Sequence, residues 1–400
     1  MIRRISVDER RTRLALRHRL LPGARTDDLA AIADDLVALH SSDPVSVYLS
    51  ALVRMAVPSL EAVDRALYDE RTLVRHHAMR RTLWVATPAT ARLMHAAATR
   101  KLAGAEHRRT VKFLQESGIE DGDAWLAQAR RDVLQTVAQH GPMTARRLGQ
   151  LLPALAHPLR FAAGTPNAAT QAAHTRVLLG LGFAGELVRT RPTGTWVNGQ
   201  YTWAAMRSWL PEGVDGLDEL DAAHRLAHSW LRRFGPATLA DLQWWTGWTV
   251  GLTRTALIDC GAEQVELDGQ VGWVAAGDAE APHDPGEPWE ALLPGLDPTT
   301  MGWKQRDWYL PAEAADCFDR NGNAGPTIWV DGQVVGAWAQ AKDGQIRTHW
   351  FVPVPSARRE RVLQRAEELR SWLGSIRFSV RFPGRVNASL LADADPAQRA

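Results

Sequence analysis

The chain has 400 residues, 45% hydrophobic and 23% charged, with a formal net charge of +2, the make-up of a folded protein with room for more than one domain. No stretch approaches eighteen uncharged apolar residues, which excludes a membrane-spanning helix, and the basic N-terminus MIRRISVDERRTRLALRHRLL lacks the apolar core of a secretory signal. Cys260 and Cys317 have no metal-ligand spacing and allow at most one bridge, which fits a reducing cytoplasm.

The first 70 residues read as helices. Thr26 can cap DDLAAIADDLVALH (27–40), whose Leu29, Ile32, Leu36 and Leu39 fall on one face with acids in the first turn. The stretch LHSSDP (39–44) interrupts that pattern, and Asp43 followed by Pro44 is a favoured helix start. Ser59 can cap LEAVDRALYDE, and TLWVATP (82–88) reads as a buried strand or a linker. Charge is uneven. Residues 71–110 carry nine Arg or Lys against Glu106 alone, while residues 261–290 carry eight acids and no Arg or Lys. A one-signed patch on a nearly neutral chain directs a face toward a polyanion, or is a solvated arginine-rich surface; composition leaves both open.

An internal repeat follows. GPMTARRL (141–148) and GPATLADL (235–242) share G-P-x-T-x-x-x-L at a spacing of 94 residues. Each follows a helical pattern, DAWLAQARRDVLQTVAQH or DAAHRLAHSWLRRF, and Thr144 or Thr238 can cap a short helix after the Gly-Pro turn. A third helix is expected over Ala169–Leu181 in one copy and Val250–Asp259 in the other. Hairpin signals close each copy at Asn198-Gly199 and Asp268-Gly269. Helix, short helix, helix, hairpin is the order of a winged helix-turn-helix.

After the linker APHDPGEP (281–288), TIWVDGQVVGAWAQAKDGQIRTHWF (327–351) predicts a meander turning at Asp331-Gly332 and Asp343-Gly344. The helix SARRERVLQRAEELRSWL and a final strand IRFSVRF follow, which suits a small C-terminal β-barrel bearing one helix. The expected fold is therefore α+β: tandem winged helix-turn-helix units followed by a small barrel. The expected segments are 1–122 (a helical or winged-helix unit), 123–220 and 221–280 (the second and third winged helices) and 286–400 (the barrel).

Taken together, LVALHSSDPVSVYLS, the two Gly-Pro repeats, LLPGLDPTTMGWKQRDWYL (292–310) and AGPTIWVDGQVVGAW (324–338) resemble, in order and spacing, the winged-helix DNA glycosylases of the AlkZ/YcaQ type over nearly the whole chain. That resemblance implies removal of alkylated bases from DNA, including bulky adducts. The family signature at the helix junction is Gln-x-Gln or Gln-x-Asp; here His40 and Ser42 flank Ser41 at the matching positions.

Breaking an N-glycosidic bond builds positive charge on the sugar, which water then captures. A purine alkylated at N3 or N7 already carries positive charge and leaves without strong acid help, so two hydrogen-bonding side chains that place a water can suffice. His40, if neutral, can position the water or take its proton; Ser42 offers a shorter hydroxyl; Asp43 is the nearest carboxylate. Each has a plainer role. His40 can be a satisfied structural histidine, Ser41 and Ser42 can bond backbone near a helix end, and Asp43 before Pro44 is a helix cap. Arg75, Arg80 and Arg81, with Lys304 and Arg306 near Asp297 and Asp307, are the candidates for phosphate contact, or else belong to solvated loops. Trp84, Trp303 and Trp308 are possible base-stacking groups among 17 tryptophans that mostly belong to the core. His76 and His77 are adjacent, no HExxH or Cys-rich spacing exists, and neither a phosphate loop nor a GxSxG elbow is present, so no metal and no cofactor is expected.

The reading is a monomeric glycosylase-like protein acting on damaged double-stranded DNA in the bacterial cytoplasm, on the nucleoid when bound. The alternatives are a non-catalytic winged-helix regulator or lesion sensor, favoured by the loss of both glutamines, and a protein-binding scaffold.

Overall fold

Helix starts follow the side chains that can cap them. In the computed structural model, which describes residues 2–161, 169–280 and 287–392, Asp28, Asp43, Ser59, Thr87, Asp121, Thr144, Thr238 and Thr249 each accept a hydrogen bond from an amide two or three residues on. One expected cap is displaced. Thr26 Oγ1 accepts the Asp28 amide instead, and Asp28 starts the helix Leu29–Asp35. That helix stops before LHSSDP because Val37 turns left-handed, at φ 59°.

The chain forms two compact units, Met1–Ala66 with His224–Ala400, and Leu67–Ala223. In the first, the helices Val7–Arg17, Leu29–Asp35 and Pro44–Leu52 come from the N-terminal part. The later part holds Leu239–Thr246, Val250–Asp259 and the hairpin Glu263–Leu267/Gln270–Val274. That hairpin turns at Asp268-Gly269 with φ of 48° and 81°, the left-handed pair a two-residue turn needs. Residues 281–286 of the expected linker lie outside the described residues.

The meander forms as expected: Glu290–Leu293, Thr327–Val330, Gln333–Gln340 and Ile346–Trp350 pair antiparallel in that order. It is an open sheet, not the closed barrel expected. The helix Ser356–Leu373 packs on the first strand, and the expected closing strand IRFSVRF is irregular. Its backbone is tied to the sheet by one side chain, Gln340, which accepts the Phe378 amide at 3.2 Å and donates to the Ile376 carbonyl at 3.0 Å. A side chain that takes both backbone groups replaces the ladder a closing strand would need. A helix, Arg385–Ala392, follows instead.

Asp241 knits this unit internally. It completes a capping box with Thr238, and its other oxygen accepts the amides of Lys304 and Gln305 at 2.9 and 2.8 Å.

The second unit contains the hairpin Val74–His77/Leu83–Ala86, which settles TLWVATP as mostly strand. The helices Arg100–Glu116, Gly122–His140, Ala145–Leu151 and His174–Phe183 and the strands Leu187–Pro192 and Tyr201–Ala205 complete it. Leu114, Val133, Leu148, Leu178, Leu181 and Trp203 fill its core. The helix expected from Ala169 begins only at His174, because Ala169–Ala172 pairs as a strand with Pro158–Phe161.

Each unit buries a neutral histidine. Burial first, then the Arg54 charge, pushes the His18 pKa down to about 3. Burial and then His95 push His76 down to about 3. Both protonate on unfolding below the ordinary 6.5, so the unfolded state binds more protons and stability falls as pH drops from there toward 3. The urea midpoint should fall between pH 7 and 5, with each histidine contributing up to about 1.4 kcal/mol per pH unit; a flat profile would contradict this assignment.

Candidate active-site junction

The junction is built on strained backbone. After the helix Leu29–Asp35 ends, buried Val37 adopts φ 59°, a conformation that costs a β-branched residue about 1–2 kcal/mol. Leu39–His40 is then extended, the chain bends at Ser42 and Asp43, and Asp43 caps the helix Pro44–Leu52, here called the junction helix.

His40 is only 4% exposed, and its Nδ1 accepts the Ser42 amide N–H at 3.4 Å. A neutral ring that accepts at Nδ1 carries its proton on Nε2, so His40 is a donor there rather than a base. Ser42 is the partly exposed member of the trio.

Asp43 has both oxygens engaged. Oδ1 accepts the Val45 amide at 3.2 Å as the helix cap, and Oδ2 accepts the Arg381 amide at 3.1 Å. Burial pushes its pKa above the ordinary carboxylate value, and the two backbone bonds pull against that. The Arg381 guanidinium donates to the Ser42 carbonyl at 3.3 Å. Arg381 is therefore a member of the junction that sequence reasoning missed: it is 338 residues from Asp43, inside the segment expected to be a strand.

Behind the junction helix runs a chain of buried polar groups. Ser46 donates to the Gly295 carbonyl at 2.5 Å and Ser50 to Asp297 Oδ2 at 2.7 Å. Arg54 and Asp297, both wholly buried, form two parallel hydrogen bonds of 2.9 Å each. Arg54 also donates to the His18 and Ser50 carbonyls and to Thr299, which contacts His18 Nδ1 at 2.9 Å. Burial alone would raise the Asp297 pKa; Arg54 outweighs it and holds the carboxyl below its ordinary value. Asp297 therefore leaves the surface cluster in which the sequence placed it with Lys304, Arg306 and Asp307.

Lys304 and Asp307 are exposed. Arg306 packs over the Trp244 and Phe318 rings, at 5.3 and 4.2 Å, and donates to the Trp303 carbonyl. Trp303 and Trp308 are core residues: Trp303 Nε1 donates to the Phe234 carbonyl, and Arg10 lies over the Trp308 ring at 4.2 Å. In the other unit Trp84 is buried, and Arg75, 2% exposed, sits 4.4 Å over the Tyr201 ring and bonds the Tyr68 hydroxyl. Arg80 and Arg81 occupy the tip of the Val74–His77/Leu83–Ala86 hairpin, both left-handed at φ 54° and 60°. Arg81 pairs with buried Glu106 at 2.6 Å. Of the predicted residues, the structure thus joins His40, Ser42 and Asp43 with Arg381, and holds Lys304 and Arg306 through Asp241 and aromatic rings.

Among the described residues no group of three or more His, Cys, Asp or Glu is placed to hold a metal, and no helix is long and apolar enough to cross a membrane.

Residues 33–372 match the family described as DNA glycosylase AlkZ-like. The chain belongs to that family. Its fold is similar to that of the Streptomyces sahachiroi DNA glycosylase AlkZ, with a TM-score of 0.71 at 19% identity, covering 94% of this chain and 99% of that one. A search among curated protein sequences gives no match. The family match spans the junction, the Gly-Pro repeats and the meander, the same segments that carry the resemblance in the sequence.

The two acidic groups of the site should respond differently to substitution. Arg54→Ala strands the buried Asp297 charge and should cost about 3–5 kcal/mol in urea unfolding. Asp43→Asn keeps the acceptor for the cap but turns a donor toward the buried Arg381 amide, and should cost a smaller amount, about 1–3 kcal/mol.

Proposed function

We propose that the chain is a DNA glycosylase that hydrolyses the N-glycosidic bond of alkylated or bulky-adduct purines, with His40 and Ser42 placing the attacking water. The observation that carries this reading is the His40–Ser42 pair, hydrogen-bonded at the helix junction inside the family match. A cationic lesion supplies its own leaving-group activation, so the protein needs to orient water and tolerate charge on the sugar. His40 Nε2–H donates to that water and the Ser42 hydroxyl accepts from it, the paired roles that two glutamine amides play in the resembling family. Asp43 positions the junction, and its negative charge beside Ser42 favours a cationic sugar.

Tandem winged helices would supply the scaffold, with segments 123–220 and 221–280 each ordered helix, short helix, helix, hairpin. Arg81 and Lys304 suit phosphate contact by exposure, half-buried Arg80 by its place at the hairpin tip and Arg306 by its place beside Lys304; the burial of Arg75 suits it to packing the hairpin. The partner is damaged duplex DNA and the working form a monomer, in the cytoplasm of a bacterium and on its nucleoid when bound.

One observation favours the non-catalytic alternative, a lesion sensor: Nδ1 of His40 is occupied by the Ser42 amide, which removes the ring's basic lone pair. Release of 7-methylguanine from methylated duplex separates the two. The glycosylase reading expects release by wild type and at least a tenfold loss in both His40→Ala and Ser42→Ala, about 1.4 kcal/mol of barrier each. Salt-dependent duplex binding without release by wild type, on methylated and on bulky-adduct DNA alike, would leave the sensor.

A further inference from the structure

The junction helix has a second face with no part in the proposed chemistry. At its C-terminal end Leu49 and Leu52 join Leu292, Trp338, Leu369 and Trp372 to wall an apolar cleft of about 240 Å³ between that helix, the first meander strand and the helix Ser356–Leu373. Its mouth carries Arg25, Arg365, Glu290 and Glu368.

The charges at that mouth do not cancel evenly. Glu290 is taken by Arg358 and Arg361, at 2.7 Å each, and Glu368 by Arg365 at 2.9 Å. Arg25 makes no ion pair or side-chain hydrogen bond among the described residues, and its Nε is buried without a partner. A half-buried guanidinium with an unmet donor costs free energy that a carboxylate would recover through charge-assisted hydrogen bonds. Burial first, and the nearby Arg365 second, pull the Arg25 pKa below its ordinary value, while Glu368, itself paired with Arg365, pulls the other way.

We propose that this cleft binds a small amphipathic carboxylate, with its apolar body between Leu52, Leu369 and Trp372 and its carboxylate on Arg25. The cleft holds the volume of roughly eight waters, which suits an acyl or aryl body of about eight carbons. Leu49 and Leu52 sit on the helix that Asp43 caps, so an occupant would brace that helix from the end opposite the junction. The site is independent of the proposed glycosylase chemistry.

Equilibrium dialysis of radiolabelled octanoate against the full-length protein tests it. We expect saturable one-to-one binding with a Kd below about 1 mM. Arg25→Glu should weaken it about tenfold or more. Leu369→Glu, at a partly exposed position, should abolish it with an unchanged far-ultraviolet circular dichroism spectrum. Octyltrimethylammonium, of the same tail and opposite charge, should not compete. Absence of saturable binding in that range, equal competition by the cationic amphiphile, or binding unaltered by both substitutions would each overturn the proposal.

Discussion

Arg54 and Asp297 meet out of reach of water, and the junction is organised around that contact. Removing two charges from water is expensive, and such a pair is tolerated only where geometry is good and the remaining donors and acceptors are met. Both conditions hold. The pair is bidentate, and the leftover groups are satisfied by Ser50, Thr299 and two main-chain carbonyls. The junction helix is thereby fastened through Ser50 and Arg54 to the segment Gly295–Thr299, and the N-terminal helix reaches the same network through His18. Leu296, just before Asp297, is held left-handed at φ 60°. Val37 is strained in the same sense just before His40. Strained backbone persists only where its surroundings over-determine it, and the buried network gives that support on the Leu296 side.

The consequence for chemistry is a division of labour along six residues. Asp43, the one carboxylate of the stretch, has both oxygens committed to amides and so fixes the geometry. In the proposed reading, His40 and Ser42 are the groups that address a water. The ring orientation changes what His40 contributes: with Nδ1 accepting from the Ser42 amide, it resembles a neutral amide donor more than a general base. That is the role a glutamine side chain can fill, which makes the departure from the family signature a smaller chemical change than residue names suggest. Arg381 adds a cation beside the Ser42 carbonyl, better suited to a phosphate than to a cationic sugar.

Local signals in the sequence were reliable where the cause is local. Asp43-Pro44, Ser59, Thr144 and Thr238 start helices because an oxygen next to the first turn meets an orphan amide there. Asp268-Gly269 and Asp331-Gly332 turn because both residues accept left-handed backbone. What escaped depends on distance in sequence. Asp297 read as a surface acid because Arg54, its partner, lies 243 residues away. Trp303 and Trp308 looked available because their packing partners come from remote elements. The expected closing strand failed because a side chain, Gln340, took the backbone bonds that a barrel needs, and Arg381 came to the junction through that same irregular segment. Arg75 carried the charge of a phosphate contact and is instead enclosed by tyrosines.

The central claim is that the junction recognises the charge that develops on the sugar during bond cleavage. Duplex DNA carrying a cationic pyrrolidine in place of one deoxyribose mimics that charge, and a site complementary to the transition state binds it more tightly than the ground state. Equilibrium binding of this duplex, against an identical undamaged one at the same salt, is the most direct measurement. The account predicts a preference of about tenfold or more for the cationic duplex, lost in Ser42→Ala while affinity for undamaged DNA is unchanged. Equal affinity of the wild type for both duplexes would contradict it.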